Sequence, residues 1–124
     1  MLSKVLYIGT GGFIGSVARY YIATSIGQHF SKSAFPFGTL IVNLLGCFVI
    51  GCLFKLYDTG VAFNNHLSYF LFVGLLGGFT TFSTFSIEAL ELLRNNHVVL
   101  GITYMLASVL LGLMLAWAGY SLIK

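Results

Sequence analysis

From Val98 to Ile123 the chain runs without a single charged side chain. A helix of that length on a soluble protein would carry a polar face. A stretch this apolar instead has the length needed to cross about 30 Å of hydrocarbon, which takes roughly 20 residues. Two further runs are similar: Phe37 to Leu56, with Lys55 near its end, and Val5 to Ile26, interrupted by Arg19. A fourth, Leu67 to Arg94, would make a straight helix of about 42 Å. That exceeds a simple span, so a break or a strong tilt is expected. Charged residues make up 7% of the chain, against about 25% in soluble domains. The sequence therefore predicts an all-α membrane protein. It reads as one domain, 1–124, with four transmembrane helices over about 4–26, 37–57, 67–94 and 98–122. The connections are too short for a soluble domain. The first segment is too long for a cleaved leader and carries Arg19 inside.

The fourth run contains Gly74 to Ser86, GLLGGFTTFSTFS. Glycines at 74, 77 and 78 and threonines at 80 and 81 favour an interruption near Gly77 to Thr81. Broken backbone at membrane depth frees carbonyls that need partners or an ion, and carbonyl oxygens suit a hard cation such as Na⁺. Beyond it, Phe82 and Phe85 are three apart and share a face if the chain is helical there. They fit plain aromatic packing. They also fit a second use, because the edge of a benzene ring is electropositive and ring edges can hold a small anion without a fixed charge. Glu88 follows by three, near the same face or at the headgroup boundary.

Other polar residues interrupt the apolar runs. Thr39 and Asn43 share a face of the second helix, as do Tyr104, Ser108 and Gly112 on the fourth. Polar groups at this depth need partners or water. Asn43 offers amide donors in a span with no acidic residue, and donors suit anions. Gly12, Gly15, Ser16, Gly46, Gly51, Gly101, Ser108 and Gly112 mark faces where helices come close, either between copies or within one subunit.

Positive charge gives almost no orientation. Lys4, Lys55 and Lys124 fall on the side of the termini, and Lys32 and Arg94 on the other. So small a bias permits insertion both ways up, and opposed copies can pair about a two-fold axis in the membrane plane. The cations are scattered, which leaves no nucleic-acid patch. Cys47 and Cys52 lie about 140° apart around a helix and read as small apolar residues. Gly9 to Gly15 lacks the strand–helix–strand setting of a nucleotide loop. No carboxylate–histidine–serine grouping is visible, so an enzyme is not expected.

Three stretches together resemble the Fluc family of small fluoride channels, also called CrcB-type proteins: GGFIGSVAR from Gly11 to Arg19, GTLIVNLLG from Gly38 to Gly46, and GGFTTFSTFS from Gly77 to Ser86. The resemblance covers essentially the whole chain. It implies an antiparallel, dual-topology homodimer in the inner membrane of a prokaryotic cell, with two fluoride pathways. It implies a structural Na⁺ at the dimer centre, held by the carbonyls of Gly77 and Thr80 from both subunits, and no organic cofactor. The pathway residues it implies are Phe82, Phe85 and Asn43, then Tyr104 and Ser108, with Thr39, Ser83 and Thr84 as lesser members. Arg19 matches the end of the first motif and Glu88 the acid after the third. The implied role is passive export of F⁻, protecting the cell from fluoride. The rival is a small dual-topology multidrug-type exporter. Such proteins use a carboxylate within the first helix, and this chain has no Asp or Glu before Asp58.

Overall fold

The computed structural model describes residues 1–60 and 63–124, with no strand among them. Helix α1 covers Leu2–His29 and α2 covers Phe37–Asp58. Pro36 precedes α2, where its missing N–H is no loss because the first donors of a helix have no partner. The third passage is built from pieces. Helix α3 opens as an α-turn at Asn65–Ser68, continues as a π-helix over Tyr69–Leu76 and closes with Gly77–Phe79. Asn64 caps its start, accepting the Leu67 N–H at 2.7 Å. Thr80 and Thr81 are extended, and α4 follows over Phe82–Arg94. A turn with Asn96 in the left-handed region (φ 61°) leads to α5, Val98–Leu122. Each of the four apolar runs is helical over most of its length.

Three passages are long and apolar enough to cross a membrane: Phe37–Asp58, Asn65–Arg94 and Val98–Leu122. Helix α1 is long enough at 28 residues but is less apolar, because Lys4, Arg19 and four glycines between Gly9 and Gly15 dilute its aliphatic residues.

Packing pairs α2 with α5 and α1 with α3, while α4 leans on α5. The interruption at Thr80 and Thr81 thus hands the third passage from one neighbour to another. Backbone contact sets both main pairings. A methyl group on Gly74 would lie 2.7 Å from the Ile8 carbonyl oxygen, and one on Gly51 would strike the Ala116 carbonyl. Small residues allow this approach in lipid, where helix association rests on close packing. Several glycines that could have marked contacts between copies work inside the subunit instead. Gly15 lies against the Leu75 carbonyl, Gly46 against the Thr80 methyl, Gly101 against Leu93 and Gly112 against the Cys47 sulfur.

The buried core is small: Leu40, Ala89, Leu92 and Tyr104, at the end of the bundle where α2 starts and α4 finishes. Much of the rest is exposed and apolar, including Phe13, Leu113 and Trp117. One chain exposes 7977 Å², whereas a compact monomer of its mass would expose about 6,500 Å².

Candidate functional site

Asn43 organises the interruption in the third passage. Its Nδ2 donates to the Thr81 carbonyl at 3.0 Å, and its Oδ1 accepts the Thr81 N–H at 2.8 Å. Only this orientation of the amide satisfies both bonds. The side chain therefore replaces the helical partners that an extended residue loses, and one N–H of Nδ2 remains for a ligand. The Thr81 hydroxyl accepts the Thr84 N–H at 3.2 Å and donates to the Thr84 hydroxyl at 3.1 Å. That is an N-cap, and it starts α4.

These bonds divert donors from two carbonyls. In an unbroken helix Thr81 N–H would serve Gly77 O, and Thr84 N–H would serve Thr80 O. Here the first goes to Asn43 and the second to the Thr81 hydroxyl. The Gly77 and Thr80 oxygens keep lone pairs for another partner. Two hard oxygens with no fixed charge fit a small cation of the Na⁺ type.

A second group lies one turn nearer the start of α2. The Thr39 hydroxyl donates to Glu88 Oε1 at 2.7 Å, and the Tyr104 hydroxyl donates to Glu88 Oε2 at 2.8 Å. Tyr104 is fully buried. The Phe85 ring stands 5.1 Å from that of Tyr104 and 5.5 Å from that of Phe82. Phe35 meets Tyr104 edge to face at 5.6 Å. Phe82, at the other end of the row, is 79% exposed.

Three spaces connect these groups. An open recess of about 420 Å³ is lined by Asn43, Gly77, Thr80, Phe82, Phe85 and Ser108, with apolar walls from Phe72, Leu76 and Val109. A smaller space of about 200 Å³ shares Thr81 with it and adds Ser16, Arg19, Thr39 and Thr84. A third, about 440 Å³, opens beside the α1–α2 connection and shares Thr39 and Thr84. Hydroxyls, one amide and the half-buried Arg19 thus follow one another from this mouth to the recess. Nothing in the set suits bond-breaking chemistry. It suits a small ion exchanging water for neutral dipoles and ring edges.

Most predicted site residues fall on this line. Asn43, Phe82, Phe85, Ser108, Gly77 and Thr80 share the recess, while Thr39, Tyr104 and Glu88 form one hydrogen-bonded group. Arg19 and Thr84 meet in the middle space. Ser83 is exposed, and its hydroxyl is 3.5 Å from that of Thr81. Thr81 itself was not predicted as a site residue, although a hydroxyl just before an amphipathic segment is a helix-start signal. Phe35 was also missed, since nothing in its connection marks it.

Fold and site together define a small all-helical integral membrane protein in which a polar route, with Glu88 at its mouth and Arg19 along it, leads to an open and mostly apolar recess. The chain belongs to the CrcB family: the profile described as "CrcB-like protein, Camphor Resistance (CrcB)" matches residues 6–120. Among relatives is a protein named fluoride-specific ion channel FluC from Flavobacterium psychrophilum, 38% identical and covering 99% of this chain and 98% of its own. Its namesake from Ruminiclostridium cellulolyticum is 44% identical (91% and 92% covered), and that from Dehalococcoides mccartyi 42% (95% and 90%).

Proposed function

We propose that this protein is a fluoride channel that lets F⁻ leave the cell passively and so limits fluoride toxicity. The observation that carries the reading is the convergence of Asn43, Ser108, Phe82 and Phe85 on one recess that holds no formal charge. Neutral donors bind a halide weakly enough to release it, as conduction requires. The names of the relatives point the same way. A negative cell interior drives an anion outward with about 2.3 kcal/mol per 100 mV, so no energy source is needed.

The functional unit in this reading is an antiparallel homodimer in the inner membrane of a prokaryotic cell. Two features support it: the recess is open along one side, and the chain exposes more surface than a compact monomer. A second, inverted copy would cover both. Gly77 and Thr80 would then contribute carbonyls from each subunit to a central Na⁺, which would tie the two interruptions together electrostatically. The exporter reading lacks its key group, because no carboxylate lies in α1 and Glu88 is already held by two hydroxyls. The test is efflux from liposomes holding the purified protein, followed with a fluoride electrode and compared with chloride. Rapid fluoride release without matching chloride release is expected, and vesicles as tight as protein-free ones would refute the proposal.

A further inference from the structure

We propose that the cleft between the first turns of α1 and α3 binds the headgroup of an anionic phospholipid. The cleft has a volume of about 350 Å³ and is lined by Tyr7, Asn64, His66, Leu67 and Phe70. Its rim carries donors. The rings of Tyr7 and His66 stack at 4.8 Å with 22° between planes. The Asn64 oxygen is taken by the Leu67 N–H, which leaves its NH₂ group. One turn before Tyr7, the Lys4 ammonium stands 5.3 Å above the Tyr69 ring, and this cation–π contact ties it to α3.

Charge selects the occupant. The chain has three acids, Asp58, Glu88 and Glu91. The two glutamates lie on α4, which leads to the opposite end of the bundle. Asp58 is at the same end as the cleft, but it belongs to a different cluster: it accepts the Tyr120 hydroxyl at 2.8 Å, and Lys55 sits over that same ring at 4.7 Å. Lys55 therefore has an acid beside it, and Lys4 has none on either of the helices that form its cleft. An ammonium one turn from the cleft, with no acid on either helix that forms it, where two lipid-facing helices reach the water, fits a phosphate whose acyl chains continue along the helices. Exposed Leu6 on α1 and Val73 on α3 extend the apolar wall.

Native mass spectrometry of the purified protein tests this, with dioctanoyl phosphatidylglycerol titrated against dioctanoyl phosphatidylcholine. The wild-type protein is expected to retain the anionic lipid preferentially. Lys4→Gln should weaken that preference about fivefold, the worth of one cation near an anionic surface. Lys4→Arg should keep it, and Lys32→Gln, at the other end, should leave it unchanged. Equal retention of the two lipids would overturn the proposal, as would an unaltered preference in Lys4→Gln. Competition by sn-glycerol 3-phosphate as strong as by the lipid would also overturn it, by showing a soluble-anion site. The comparison needs no fluoride transport.

Discussion

Single residues here do two jobs at once, and substitutions can separate them. Asn43 completes the backbone at Thr81 and leaves one N–H over. In Asn43→Asp a carboxylate oxygen would face the Thr81 carbonyl and set a negative charge on the proposed anion route. Fluoride flux should vanish, and wild-type efflux from liposomes would refute the assignment. The two phenylalanines should differ from each other. Phe85 packs against Tyr104 beside the core, whereas Phe82 is 79% exposed. Phe82→Ile should therefore lower flux while barely changing thermal stability in detergent. Phe85→Ile should lower both, because it removes ring contacts worth about 0.5–1.5 kcal/mol beyond area. Equal stability loss in the two variants would contradict this division. Tyr104→Phe takes one of two donors from the half-buried Glu88 and should cost about 0.5–1.5 kcal/mol, the net worth of one hydrogen bond. A midpoint of thermal denaturation equal to wild type would count against it.

Among the elements, the third passage carries most of the design. Its π-helical stretch and its interruption are held from outside, by glycine contacts with α1 and by Asn43 of α2. Gly74→Val should push α1 and α3 apart, because the neighbour it meets is the Ile8 backbone, which cannot rotate away. A loss of about 1–3 kcal/mol is expected from such overpacking. Gly9→Val on α1 should be close to silent, since nothing lies within 4 Å of a methyl there. Thermal denaturation of both variants checks the contrast, and equal losses would show that the close approach is not what matters. The same elements show how far sequence reasoning reaches. Hydropathy alone located the passages, because lipid demands long apolar runs. The π-helix left no such trace: Tyr69 to Leu76 is apolar throughout, so no period distinguishes it from an α-helix. Asn43 stood out as polar in a span, but its partner Thr81 is 38 residues away, and spacing reports only neighbours on one helix. Likewise Glu88 looked like a residue of the aromatic face or of the boundary, until Thr39 and Tyr104, from two other helices, closed on its carboxylate.

At the scale of the whole molecule, one subunit has little core and an open recess, so its stability should depend on what covers that recess. Gly77 and Thr80 line the recess, and the helical donors of their carbonyls are diverted. In lipid an unpaired carbonyl is costly, and water reaches a closed dimer interface poorly. In the proposed dimer, a cation shared by both copies would resolve the conflict. Replacing all Na⁺ with a large organic cation during purification should thus weaken subunit association and reduce fluoride flux together, and restoring Na⁺ should recover both. The effect should be selective for ion size, because carbonyls fixed by the Asn43 and Thr81 bonds cannot retreat to admit a larger ion. Cross-linking yield measured beside liposome efflux, across a series of Na⁺ concentrations, reads the two quantities in one preparation. A dimer and a flux that ignore Na⁺ entirely would mean that the four oxygens find another partner, and the central site would have to be abandoned.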